Sequence, residues 1–199
     1  MYRLEKADIQ KASVVLGEAF QDYPIFKYII PDVDFRKENL KYVCQFLLNL
    51  GGTKGEVIGT SDQLEGVSIW IPSRKSNRPE MEALQAGLLG LFVHLSPGSI
   101  RRLMDVGGGK AKKRSEFVSG EYVICDMIGI DPRFQRKGLG GKLIGSKLAE
   151  IDKASVPCYL ETSRPENVEY YKRHQFEKIG EYAIHGVDVF CMVREPRKR

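Results

Sequence analysis

The chain has 199 residues, 42% of them hydrophobic and 29% charged, with a net charge of +5. That length suits one domain, residues 1–199, with a substantial core, and the balance is that of a soluble globular protein. No stretch approaches the ~18 apolar residues of a membrane span, neither terminus reads as an apolar leader, and the scattered cysteines and histidines match no metal-ligand spacing.

Residues 8–20 have a helical apolar stripe, Ile9, Ala12, Val15, Leu16 and Phe20, with Asp8 placed to cap it. Pro24 and Pro31 bracket an aromatic-rich loop, Tyr23 to Ile30. A second helix runs from Phe35 to Leu50 and should stop at Gly51-Gly52. Val57–Thr60 and Leu64–Ile71 read as strands across a Ser61-Asp62-Gln63 turn; in the second, Val67, Ile69 and Ile71 alternate with Gly66, Ser68 and Trp70, which predicts a half-buried strand.

Residues 72–119 interrupt the strands with a polar loop (72–79), a helix (80–95), a further helical start at Pro97 and a flexible-looking Gly107–Gly109 stretch. Lys110-Ala111-Lys112-Lys113-Arg114 follows as a solvated charge run. The sheet does not need this insert, so it is read either as a substrate wall or lid, or as a helical cover for one sheet edge. The basic runs, including the 195–199 tail, lack the interleaved aromatics of a nucleic-acid face, and no nucleic-acid or membrane partner is expected. The four dispersed cysteines read as reduced core thiols of a cytoplasmic protein.

The chain is organised around residues 121–154. Tyr122 to Cys125 and Ile128 to Ile130 form an apolar strand ending at Asp131-Pro132. From Leu143 the period becomes helical, with Leu143, Leu148 and Ile151 on one face, Ile144 at its border, and Lys142, Ser146, Lys147, Glu150 and Lys153 to solvent. Between them lies Gln135-Arg136-Lys137-Gly138-Leu139-Gly140-Gly141. Glycines there allow close backbone approach, and the first helical turn adds unpaired N–H groups and a positive dipole end, so the corner suits a phosphate. A Walker loop is excluded because Leu143 follows Gly141-Lys142 and Arg136 stands where the first glycine belongs. A dinucleotide fingerprint is excluded because residue 143 is not glycine.

Gln135-x-x-Gly138-x-Gly140 after an apolar strand resembles the acetyl-CoA pyrophosphate loop of the GNAT acetyltransferases. A second stretch agrees: after the strand at 157–162 come Asn167, Tyr171 and Phe176 in that family's order and spacing, with Gln175 where the family usually has glycine. Ala19-Phe20-x-Asp22-Tyr23-Pro24, Val67-x-x-Trp70 and Leu160-Glu161-Thr162-Ser163 resemble the puromycin N-acetyltransferase branch. A hairpin, Phe176–Ile184 and Val187–Val193 joined at His185-Gly186, closes the chain. The fold expected is α+β: a mixed, mostly antiparallel central sheet flanked by helices, with a helical insert between strands.

The resemblance implies transfer of an acetyl group from acetyl-CoA, without a metal, to an amine, with small molecules as the first reading of the acceptor. Protein lysine or N-terminal acetylation, or a non-catalytic acyl-CoA-binding module, are the alternatives; a monomer or homodimer is expected. Carried onto this chain, the backbone of Ile128, Gly129 and Ile130 binds pantetheine and the acetyl oxygen. Gln135, Arg136, Lys137, Gly138, Leu139, Gly140 and Gly141 form the pyrophosphate loop, and Asn167 binds the pantetheine or adenine end. Tyr171 protonates the leaving sulfur, and Tyr170 beside it is the packing partner. Glu161 is the candidate base, with Asp126 the other carboxylate in reach.

Overall fold

The structure, a computed structural model, describes residues 1–73 and 79–197, so most of the predicted 72–79 loop and the last two residues of the basic tail lie outside the described residues. Its strands are β1 (Tyr2–Arg3), β2 (Glu56–Gly59), β3 (Gly66–Pro72), β4 (Val123–Ile130), β5 (Cys158–Thr162), β6 (Glu177–Ile184) and β7 (Val187–Arg194). Among the described residues they form one sheet in the order β1-β2-β3-β4-β5-β7-β6. Every neighbouring pair is antiparallel except β4 and β5. The expected mixed α+β sheet is what forms.

Helices cover both faces. On one lie α1 (Ile9–Ala19), α2 (Pro24–Ile29), α3 (Val33–Lys54), α4 (Pro79–Gln85), α5 (Leu88–His94) and α6 (Pro97–Phe117), burying Leu16, Leu40 and Leu103 with Val67, Ile69 and Tyr159 of the sheet. On the other lie α7 (Leu139–Ala154) and α8 (Pro165–Lys172), whose Leu143, Ile144, Leu148, Ile151 and Val168 pack on Trp70, Cys125, Leu160 and Met192. β3 is therefore buried on both faces rather than half-buried. Its Trp70 indole donates to the Ser68 hydroxyl at 2.7 Å, satisfying a polar group that alternation alone assigned to solvent.

Several local expectations shift for physical reasons. Tyr23 to Ile30 is mostly helix α2, not loop, because Pro24 takes the first helical position, where a missing N–H costs nothing. α3 runs through Gly51-Gly52 to Lys54. Gly51 serves close packing instead of termination, since a Cβ there would stand 2.3 Å from Ile69 Cγ2. The 80–95 helix is two, α4 and α5, parted at Gly87 (φ +95°). Gly107–Gly109 and the basic run sit inside α6, where Gly109 lets the helix approach Ile184. Asp8 caps the preceding 3-10 turn, accepting from the Glu5 N–H at 2.9 Å and the Tyr2 hydroxyl at 2.8 Å, not α1. Lys147, assigned to solvent, is buried between Glu56 (2.8 Å) and Glu150 (2.7 Å). Arg194 is also buried, paired with Asp152 at 2.7 Å.

The hairpin turn at His185-Gly186 has both residues at positive φ, +49° and +78°, the geometry its sequence predicts. All four cysteines are buried and unpaired. The insert divides in two: α4 and α5 pack against α3, while α6 packs on α2 and β6.

Candidate active site

Parallel pairing of β4 with β5 covers only Val123–Cys125 against Cys158–Leu160. β4 continues to Ile130 and β5 to Thr162, so beyond these three pairs the strands part. The Asp126–Ile130 segment keeps β3 on one side and, among the described residues, pairs with no strand on the other. At the point of parting β4 is bulged: Met127 faces Ile69 and Cys125 faces Trp70, leaving Asp126 as the extra residue. Ile128 and Ile130 lean toward α7. Gly129 is packed under α1, where a Cβ would come within 2.8 Å of Leu16 and 2.9 Å of Phe20. A free strand edge inside a sheet is a row of backbone donors and acceptors suited to an extended ligand.

The loop after β4 leads that edge to a helix N-terminus. Asp131 turns the chain, accepting from the Arg133 N–H at 2.9 Å and from its guanidinium at 2.6 Å; these bonds hold the carboxyl below its ordinary range. The Gln135 amide donates back to the Ile130 carbonyl at 3.0 Å, closing the turn. Arg136 (φ +61°) and Lys137 are exposed, and Gly138 (φ +77°) is the N-cap of α7. Gly138 offers no side chain, and the first helical N–H to find a helix carbonyl is that of Lys142, on Gly138 at 3.1 Å. The N–H groups of Leu139, Gly140 and Gly141 thus form the open positive end of α7, with Arg136, Lys137 and Lys142 adjoining it in sequence.

α8 places Tyr171 in the cluster on the α7 side of the sheet. Its ring is 8% exposed and packs edge-on against Tyr170 (5.3 Å) and Phe176 (5.8 Å). Burial, with contributions from Cys125, Tyr23 and Tyr170, raises its pKa well above the ordinary tyrosine value, so the hydroxyl keeps its proton. Asn167 donates to the Thr162 hydroxyl at 3.1 Å. Tyr170 packs on Tyr171 as expected, and a Cβ on Gly140 would stand 3.1 Å from its hydroxyl, beside the first turn of α7.

The opposite face is charged. The Glu161 side chain is 3% exposed; Lys110 of α6 lies 3.1 Å from one oxygen, Arg114 lies 3.5 Å from the other, and the Tyr159 hydroxyl donates at 2.8 Å. Burial alone would raise the Glu161 pKa, but Lys110, Arg114 and these hydrogen bonds outweigh it and lower it. Asp126 adds to the field on both cations. Among the described residues no group of three or more potential ligands could hold a metal ion, and no helix is long and apolar enough to cross a membrane.

No protein-family model matches the chain. An uncharacterised N-acetyltransferase of Schizosaccharomyces pombe is 24% identical over 210 residues, covering 98% of this chain and 82% of that one. A Corynebacterium glutamicum structure described as histone acetyltransferase HPA2 and related acetyltransferase aligns over 100% of this chain and 99% of its own, at 17% identity and TM-score 0.66. A Desulfovibrio desulfuricans protein assigned to the GNAT acetyltransferases aligns over 98% and 97%, at 13% identity and TM-score 0.55. The fold is that of the GNAT acetyltransferases. A mosquito arylalkylamine N-acetyltransferase-like protein shares it over 98% of both chains, at 12% identity and TM-score 0.56.

Within this GNAT fold, Ile128, Ile130 and Tyr171 belong to the cluster on the α7 side of the sheet, the 135–141 loop leads from β4 into α7, and Asn167 of α8 reaches Thr162 at the end of β5. Glu161 belongs to the other face, engaged in an ion cluster. Sequence reasoning missed the pairing of Lys110 and Arg114, read as solvated, with Glu161, and the hydrogen bonds of the Tyr23 hydroxyl. Only Tyr23 carried a signal, its place in the Ala19-to-Pro24 motif.

Proposed function

We propose that the chain is an acetyl-CoA-dependent N-acetyltransferase acting on a small-molecule amine. The observation that carries this reading is the free β4 edge beyond Cys125, continuous with the uncapped N-terminus of α7. The edge fits an extended amide-bearing arm and the helix end fits a pyrophosphate, one after the other. Backbone groups of Ile128, Gly129 and Ile130 would hold the pantetheine. The N–H groups from Arg136 to Gly141 would hold the phosphates, with the Arg136 and Lys137 charges beside them and Gln135 bracing the turn. Asn167 would meet the arm from α8.

When bound, acetyl-CoA supplies an activated thioester. Tyr171 holds a proton on the α7 face of the opening and gives it to the departing sulfur. Because α7 and α8 fill that face, the acceptor enters from the side of α2 and α6. There Asp126, half-buried at the bulge, takes the acceptor's proton directly or through water. Glu161, with both oxygens engaged by Lys110, Arg114 and Tyr159, serves as a counter-ion.

A small acceptor is the first reading, with Lys110 and Arg114 of α6 held beside Glu161 on the side from which it would enter. The arylalkylamine acetyltransferase-like neighbour accords with that. Four buried, unpaired cysteines fit a reducing, cytoplasmic setting. Calorimetry with acetyl-CoA, followed by CoA release with a panel of small amines and lysine peptides, tests the reading. Binding with release by small amines supports it. Absence of binding overturns it, and release by peptides alone transfers it to protein acetylation.

A further inference from the structure

Beyond Leu160, β5 has lost β4 as a neighbour, yet it must stay apart for the β4 edge to remain free. Four hydrogen bonds converge on the end of β5, one of them from the Arg164 N–H to Thr162 Oγ1 at 3.3 Å. Tyr23 and Thr162 share a hydrogen bond between their hydroxyls at 2.9 Å, and the Ser163 N–H donates to the Tyr23 hydroxyl at 2.9 Å. Thr162 Oγ1 in turn accepts from the Asn167 amide at 3.1 Å. Ser163 is one residue past the last β5–β7 pair, Thr162 with Phe190, so Tyr23 takes up a backbone donor that the sheet no longer serves.

Tyr23 is itself held firmly. It is the N-cap of α2, and Pro24 after it favours its extended backbone. Its ring packs edge-on against Phe20 at 5.1 Å, and the Arg164 guanidinium lies 5.6 Å from the ring centre. One side chain from the acceptor-side helix thus ties down the strand end and, through Thr162, the Asn167 side chain.

We propose that Tyr23 is a positioning residue that pins the Thr162–Ser163 end of β5, and Asn167 with it, in the parted arrangement that admits the pantetheine arm. This rests on the functional reading above. Tyr23→Phe keeps the ring and removes both hydroxyl contacts. Its acetyl-CoA Kd should rise about tenfold, ~1.4 kcal/mol, while kcat at saturating acetyl-CoA stays within about threefold of wild type. A purely structural role would lower the unfolding midpoint without this split between affinity and turnover. Thr162→Val should reproduce the weakening and Thr162→Ser should restore wild-type affinity; this pair decides the matter if Tyr23→Phe does not fold. Tyr28→Phe is the control and should bind as wild type. A wild-type protein that binds no acetyl-CoA overturns the functional reading and this inference together. Wild-type binding with unchanged affinity in Tyr23→Phe, or in Thr162→Val, overturns this inference alone.

Discussion

Replacing Glu161 with glutamine separates a base from a counter-ion. The carboxylate is 3% exposed and faces Lys110 and Arg114, whose side chains are 24% and 17% exposed. Removing one partner of such a buried cluster strands the opposite charges, a loss of about 3–5 kcal/mol. Glutamine keeps the shape and an acceptor for the Tyr159 hydroxyl, so about 3 kcal/mol is expected. Urea unfolding gives that number, and CoA release at a temperature where the variant is fully folded gives kcat, expected within about tenfold of wild type. A double variant, Lys110→Met with Glu161→Gln, should recover part of the lost stability, since it removes one stranded cation. The pH dependence has a definite sign. Glu161 is lowered from an ordinary 4.5, so its contribution is present above that pH and is lost as pH falls through its folded value. The wild-type and Glu161→Gln stabilities should therefore converge in acid. A variant as stable as wild type whose kcat falls ~10³-fold would make Glu161 the base and refute the cluster argument.

Tyr171→Phe keeps the packing against Tyr170 and Phe176 and removes only the proton; kcat should fall about 10²–10⁴-fold with acetyl-CoA affinity nearly unchanged, and wild-type turnover would remove Tyr171 from the chemistry. Gly140→Val should fold, because the nearest atom to its Cβ is the far end of Tyr170, but its methyl groups would stand over the open N–H groups of α7. Most acetyl-CoA affinity should be lost, and calorimetry showing full affinity would displace the pyrophosphate from this loop. Gln175 occupies a turn at φ +67°, so Gln175→Gly should raise stability by roughly 0.5–1 kcal/mol in urea unfolding; a loss would mean that its bond to Arg197 outweighs the strain.

What was legible in the sequence is what depends on neighbours along the chain. Gln135, Gly138 and Gly140 announce a turn into a helix through spacing alone, and His185-Gly186 announces its hairpin through backbone preference. Asn167, Tyr171 and Phe176 are set by one helix and its exit, so their spacing survives into the structure; even Gln175, which breaks the usual pattern, takes the left-handed backbone of the glycine it replaces. What was hidden depends on partners far away. Lys110 and Arg114 sit in a charge run that resembles any solvated helix face, and only the packing of α6 against the sheet brings them to Glu161, about fifty residues on. Lys147 was assigned to solvent by the same local logic, and its partner Glu56 lies on β2. The parting of β4 from β5 is a matter of pairing between two strands some thirty residues apart, which the pattern along either one does not record.

The three residue pairs that join β4 to β5 divide the sheet into two leaves, β1 to β4 and β5 to β7. An extended ligand laid along the free β4 edge would act as mortar between them, replacing protein hydrogen bonds with its own amides. Such a ligand would add its own hydrogen bonds to the three residue pairs that the chain supplies at this seam. Ligand occupancy at a hundred times Kd would add about 2.7 kcal/mol to folding, enough to rival the loss of a buried charge.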